Sequence, residues 1–383
     1  MITKLKNLFT RVDGLLFGSA IFISIAGIIT MNSFTGDNPF SERQIIWLGI
    51  SIVVCLGATL IDWRFLRDTK FVTGIYLASV ILLLLLFTMG SIFKGAQSWF
   101  DLGLFAFQPT DFAKIALILV LSKYFARRHV EIAHVRHILV SGLYAFFIFM
   151  LIFIQPDFGG AIIIFIIWLG MVLVSGISKK HVAVVFTAGL LSALFLWNFV
   201  FEDYQKQRIT SFIHPLADIR GAGYNAYQSM IAVGSGQVLG KGIGYGTQSK
   251  LRFLPEYETD FIFASFAEEW GVLGSMVLFS LYGIVVWRVL SISYRGDSNF
   301  EILYGFGVAI MFTSHFFINV GMNIGLLPVT GITLPFMSYG GSHLLGEFLA
   351  LGVLMGMRQY GRAMHKEKIH NELVQVAGSK YRE

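Results

Sequence analysis

Ten stretches of this chain are almost wholly apolar for about 17 to 26 residues, the length a helix needs to cross the hydrocarbon core of a bilayer. They run over roughly 14–31, 44–61, 71–90, 109–126, 137–154, 160–176, 181–200, 262–287, 302–324 and 343–359. Lipid offers no partner to backbone N–H and C=O groups, so each stretch must satisfy them internally as a helix. A membrane β-barrel would show short alternating segments instead. Charged residues make up only 14% of the 383, against about 25% in a soluble domain, which excludes a soluble globular fold. The chain reads as an all-α polytopic membrane protein with about ten transmembrane helices. No small-residue cleavage site follows the first span, which reads as a retained helix.

Lys and Arg counts set the orientation. One set of loops, together with both ends of the chain, holds 20 of the 29 basic residues, and the opposite side holds 8. Lys114 falls inside a span. Both termini are therefore expected in the cytoplasm, with one large extracytoplasmic loop over about 201–261. A membrane domain would cover 1–360, and the polar tail 361–383 lacks apolar periodicity. The net charge of +6 then follows from topology and anionic lipid, with no case for nucleic acid. The single cysteine, Cys55, sits within a span and reads as a small packing residue.

Four polar stretches interrupt this pattern near the expected outer face. In Gly95–Lys114, Trp99 and several phenylalanines suit an interfacial segment. Gln108-Pro109-Thr110-Asp111 then opens a helix, with proline in its first turn and Asp111 at its positive end. Lys114, a turn deeper, needs a carboxylate, a carbonyl or an anionic ligand, unless it snorkels to the interface. The second stretch, Gln155–Gly160, joins two spans almost without a loop, and Asp157 there either caps the next helix or faces substrate.

The third stretch is the large loop. It carries Arg208 and a glycine-rich run, Gly234 to Gly246, that includes Lys241. Dense glycine lets backbone amides approach a phosphate, and Lys241 adds charge; a hinge or re-entrant loop is the alternative. The run is not a P-loop, because Ser235 and Gly242 stand where that motif needs glycine and serine or threonine. The loop ends in Leu-Pro-Glu-Tyr-Glu-Thr-Asp (254–260), which sets Glu256, Glu258 and Asp260 directly before an apolar helix. Carboxylates at a membrane edge are costly to desolvate, which marks them as a functional candidate. The plain alternative for Asp260 is a helix N-cap paired with Lys114. Glu268 and Glu269 follow within the apolar run, with no role assigned. The fourth stretch, 325–342, has no acid or base, yet Pro328, Pro335, Gly340 and Gly341 break it at membrane depth. Such backbone must line a cavity or be buried in protein, so it is expected to shape a groove wall.

These stretches together resemble the SEDS family, the polytopic membrane glycosyltransferases of bacterial cell growth and division. The matching motifs are GAQSWFDLG…FQPTDFAK (95–114), QPDFGGA (155–161), the run from Tyr224 to Gly271, and NIGLLPVTGITLPFMSYGGS (323–342). They occur in the family's order over roughly 10–360. The short N-terminus, with Gln44–Trp47 and Asp62–Leu66, is more similar to the elongation branch, RodA, than to the division branch, FtsW. The resemblance implies a peptidoglycan polymerase that joins lipid II units at the outer face of the cytoplasmic membrane and releases undecaprenyl pyrophosphate. It also implies a class B penicillin-binding protein (a PBP2-like transpeptidase) and elongasome components as partners.

By the same resemblance Asp260 matches the essential aspartate, Lys114 the basic residue expected near it, and Arg208 a basic position at the start of the large loop. Three positions depart from the family pattern: Ser98 where arginine is common, Asp111 for glutamate, and Glu258 for histidine. They shift the expected pyrophosphate contacts toward Lys114, Arg208 and Lys241, or toward a divalent cation. Asp260 is then the general base, and Glu256 positions sugar hydroxyls or holds Mg²⁺ or Mn²⁺. Gln108, Asp111 and Asp157 complete the expected substrate-binding set. Two other classes compete. A lipid II flippase would spread ionisable groups through the membrane depth, and a scaffold for the penicillin-binding protein would need neither Asp260 nor Lys114.

Overall fold

A computed structural model describes residues 12–34, 39–93, 96–101, 103, 106–127, 135–176, 179–199, 206–207, 210, 212–213 and 223–358. Each of the ten apolar stretches is a helix. In chain order the helices are α1 (Gly14–Asn32), α2 (Pro39–Leu60), α3 (Thr69–Met89), α4 (Pro109–Ala126), α5 (Val135–Ile154), α6 (Phe158–Val174), α7 (Lys179–Phe199), α8 (Tyr224–Ser235), α9 (Thr247–Lys250), α10 (Ile262–Tyr294) and α11 (Asn299–Asn323). A last helix, α12, spans 341–358. Among the described residues six helices, α1, α2, α3, α5, α10 and α11, are long and apolar enough to cross a membrane. The short α8 and α9 lie in the expected outer loop, and the tail 361–383 lies outside the described residues.

Polar side chains fix the helix ends. Asp13 accepts from Leu16 N at 3.2 Å and starts α1. Asp68 caps α3 through Lys70 N, and Ser298 caps α11 through Glu301 N. Each such cap contributes about 1 kcal/mol.

Burial separates inner from outer helices. In α4 every residue from Ala113 to Ser122 is buried, which is why its sequence shows no amphipathic stripe. It packs against α3, α5, α6 and α11, while α10 lies against α1 and α11. Helix α12 is held to α11 by the Tyr304 hydroxyl, which donates to Ala350 O at 3.2 Å. It is held to α1 by an edge-on contact of Phe348 with Phe17. Its glycines admit α2 closely: a Cβ on Gly352 would lie 2.6 Å from Cys55 O. The packing role expected of Cys55 holds, since it is fully buried there. Helices α3 and α5 expose leucines and phenylalanines such as Leu77, Leu84, Leu139 and Phe147, the surface a lipid environment accepts.

Two features go beyond the expected helices. The segment before α4 is a three-stranded antiparallel sheet, β1 (Ser91–Phe93), β2 (Ala96–Asp101) and β3 (Ala106–Phe107). Trp99 pairs with Ser91 across β1 and β2, and Phe100 with Phe107 across β2 and β3. Strands this short carry too few alternations to be read in sequence. The second feature is a break in α10 at Gly271 (φ 65°, ψ −164°). At 33 residues an unbroken α10 would be about 50 Å long, well beyond the roughly 30 Å hydrocarbon core. The break leaves a short buried arm before it and a membrane-length helix after it.

Candidate active site

The arm begins at the carboxylate turn. Glu256 adopts a positive φ of 52°, and its carbonyl accepts from both Thr259 N and Phe261 N at 3.1 Å. The Thr259 hydroxyl donates to the Glu256 carboxylate at 3.1 Å. Helix α10 starts only at Ile262, with Phe261 as its cap residue and no side-chain cap bond. Asp260 therefore does not cap the helix. Its backbone carbonyl is instead clamped by two side chains of α11, Asn319 Nδ2 at 2.9 Å and Asn323 Nδ2 at 3.1 Å. The carboxyl group, half-buried, faces Gly331: a Cβ there would sit 3.5 Å from Asp260 Oδ2.

Gly331 belongs to the broken segment 325–342, which runs alongside the turn and is largely buried in protein from Leu334 to Ser338. Ser338 Oγ donates to Thr259 O at 2.7 Å, and Tyr339 N donates to Glu258 O at 2.8 Å. Asn319 Nδ2 also donates to Ile332 O at 2.7 Å, so one amide ties Asp260 to the same segment.

Below the turn lies a buried ionic cluster. Lys114 Nζ reaches Asp111 Oδ1 at 3.0 Å and His315 Nε2 at 3.3 Å. Asp111 Oδ1 meets His343 Nδ1 at 3.1 Å, and His343 Nε2 meets Glu347 Oε1 at 2.9 Å. These groups border a cavity with room for about one water molecule. Lys114 neither snorkels nor lies exposed: its partner is the carboxylate one turn earlier on its own helix. Gln108 makes no side-chain cap of α4; its backbone N–H donates to Ser342 Oγ at 3.3 Å, joining the starts of α4 and α12.

The glycine-rich run takes a different part from the phosphate cradle its composition suggests. Its amides turn to α10: Lys241 N donates to Glu268 O and Gly242 N to Glu269 O, both at 3.0 Å. Gly244 N donates to the Glu269 carboxylate at 3.0 Å. Glu268, fully buried, accepts Lys241 Nζ at 2.6 Å, Thr247 N at 2.8 Å and Gln248 N at 3.1 Å. Lys241 is thus paired with a protein carboxylate, and the run is a clamp around the break at Gly271. Asp157 takes the capping alternative, accepting from Gly160 N at 2.8 Å. Arg208 lies outside the described residues. Among the described residues no group of three or more His, Cys, Asp or Glu side chains is arranged to hold a metal ion, and the Glu256 carboxylate accepts from the Thr259 hydroxyl.

Sequence reading did not single out His315, His343, Glu347, Asn319 and Asn323, and left Glu268 without a role. The available signal was the cost of ionisable side chains inside apolar runs, which applied to each charged member.

Comparison with known proteins places this architecture. Residues 6–363 match the family described as cell cycle protein, FtsW/RodA/SpoVE. The peptidoglycan glycosyltransferase MrdB of Escherichia coli K12 is 39% identical over 332 residues, 86% of this chain and 88% of that protein. Among solved structures, a chain from a peptidoglycan synthase complex that coordinates polymerization and crosslinking superposes with a TM-score of 0.78 at 28% identity, over 90% of this chain and 97% of that one. The rod shape determining protein RodA of Thermus thermophilus gives a TM-score of 0.69 at 27% identity, over 91% and 96%.

Proposed function

The chain belongs to the FtsW/RodA/SpoVE family, and from that premise we propose that Asp260 is the general base with which it polymerises lipid II. It is a multi-pass membrane peptidoglycan glycosyltransferase. We place it in cell elongation and rod shape, in the cytoplasmic membrane with both termini inside, beside a class B penicillin-binding protein that crosslinks the product.

The reaction joins a sugar 4-hydroxyl to the anomeric carbon of a lipid-linked sugar and expels the lipid pyrophosphate. Inversion from an α-phosphate to a β-linkage requires attack from the face opposite the leaving group, for which one carboxylate on the acceptor side suffices. Asp260 takes the hydroxyl proton as the new C–O bond forms. The observation that carries this role is the division of labour within the residue. Its carbonyl is fixed by two asparagines, while its carboxylate is left out of helix capping and faces a glycine that leaves room beside it. The leaving pyrophosphate needs positive charge more than a proton. We assign that charge to Arg208, since Lys241 is paired with Glu268 and Lys114 with Asp111.

The test uses purified protein in detergent with its penicillin-binding partner, lipid II and Mg²⁺ or Mn²⁺. General-base assistance is worth about 10²–10⁴-fold, so folded Asp260→Asn should form almost no glycan. Equal polymer from both proteins would remove Asp260 from the mechanism. No polymer from either, with lipid II crossing vesicle bilayers, would favour a flippase.

A further inference from the structure

We propose that His343 is a positioning residue for this reaction: as an imidazolium between Asp111 and Glu347 it neutralises a buried ionic cluster that holds the segment 325–342 against the Asp260 turn. The proposal rests on the reading of Asp260 as the base.

Charge balance is the first support. Asp111, Lys114, His343, Glu347 and His315 are 3–7% exposed, in a bundle whose surroundings are lipid and apolar side chains. The tautomer of His315 follows from its partners. It accepts at Nε2 from the Lys114 ammonium and donates Nδ1–H to Thr333 O at 3.2 Å, so it is neutral. Both nitrogens of His343 face acceptors: Asp111 on one side, Glu347 and the Thr333 hydroxyl (2.9 Å) on the other. Protonated, His343 joins Lys114 in balancing two carboxylates. Neutral, it would leave one surplus negative charge at a depth where an unpaired ion is strongly disfavoured.

Connectivity is the second support. The cluster grips the broken segment at three points: Thr333 O through His315, Thr333 Oγ1 through His343, and Phe336 N, which donates to Glu347 Oε2 at 2.7 Å. The segment grips the catalytic turn in the next residues, Ser338 on Thr259 O and Tyr339 on Glu258 O. Within it, Leu334 N donates to Ser338 Oγ at 2.8 Å, so the two sets of contacts share one hydrogen-bonded turn. An irregular backbone has no helix ladder to hold it, so its place is set by these bonds. Loss of the His343 charge would loosen Thr333 and Phe336 first and shift Asp260 with them.

The experiment compares wild type, His343→Gln, His343→Gln with Glu347→Gln, and Asp260→Asn, all full-length and in complex with the partner. It reads kcat and KM for lipid II per folded molecule, and hydrogen exchange of the Phe336 and Tyr339 amides. His343→Gln should lower kcat about 10- to 100-fold at near-constant KM, with faster exchange at both amides. The double variant, again charge-balanced, should return kcat to within a few-fold of wild type. Wild-type kcat in folded His343→Gln, or a double variant no better than the single, would overturn the proposal. If His343→Gln does not fold, the double variant decides alone: near wild-type kcat supports it and lost kcat overturns it. Activity in Asp260→Asn would sink the base assignment itself. A dead Asp260→Asn beside a fully active His343→Gln would sink only the positioning role.

Discussion

Asp13 shows how one carboxylate can serve two structures. It caps α1 and also receives the guanidinium groups of Arg288, from α10, and Arg358, from α12, the latter at 3.0 Å. Burial raises its pKa, but the bonds to Arg288 and Leu16 N more than offset this and hold it below the usual carboxylate range. A carboxylate with a depressed folded pKa contributes stability above its unfolded value, near 3.9, and loses it as pH falls. Asp13→Asn should therefore lower the unfolding free energy at neutral pH by on the order of 2 kcal/mol after allowing for partly exposed arginines, seen as a lower Tm. The gap to wild type should close below about pH 4. A gap that persists at low pH would show that the charge is not what matters. Asp260 was legible in the sequence because three carboxylates precede an apolar run. His343 and Glu347 were not: Asp111, the partner of His343, lies 232 residues from it, and Glu347 joins the cluster only through His343, so nothing local announces the meeting.

At the scale of elements, the clamp between the glycine-rich run and α10 makes a graded prediction. Gly240 and Gly244 both have positive φ, 82° and 79°, but their surroundings differ. A Cβ on Gly240 would lie 2.1 Å from Glu269 O, whereas nothing lies within 4 Å of one on Gly244. Gly244→Ala should cost only the left-handed penalty of about 1–2 kcal/mol; Gly240→Ala should cost clearly more, because the run must move off the helix. Equal thermal shifts would mean that the clamp is not closed in solution. The ten helices were readable because each is one unbroken apolar run. The clamp was not, since glycine composition signals that backbone can come close but not to what. The small sheet escaped for want of length.

For the whole molecule, the lysine and arginine asymmetry predicts which side each loop occupies. Cys55 is buried and is the only cysteine, so single reporters can be placed in a Cys55→Ser background. Tyr245→Cys, at a position 72% exposed in the glycine-rich run, should react with a membrane-impermeant thiol reagent in spheroplasts. Asp297→Cys, at an exposed position between α10 and α11, should react only after the membrane is opened. The reverse pattern would invert the topology and put Asp260 on the wrong side for lipid II delivered to the outer leaflet. The buried ionic cluster also bears on how the chain is made. Lys114 and His315 are 201 residues apart, and at about 5–20 residues per second the second is synthesised roughly 10–40 s after the first. Yet Asp111 and Lys114 lie one turn apart on α4, and His343 and Glu347 one turn apart on α12. Each helix can enter the bilayer as a self-neutralised unit, so neither charge has to wait in lipid for a partner the ribosome has yet to deliver.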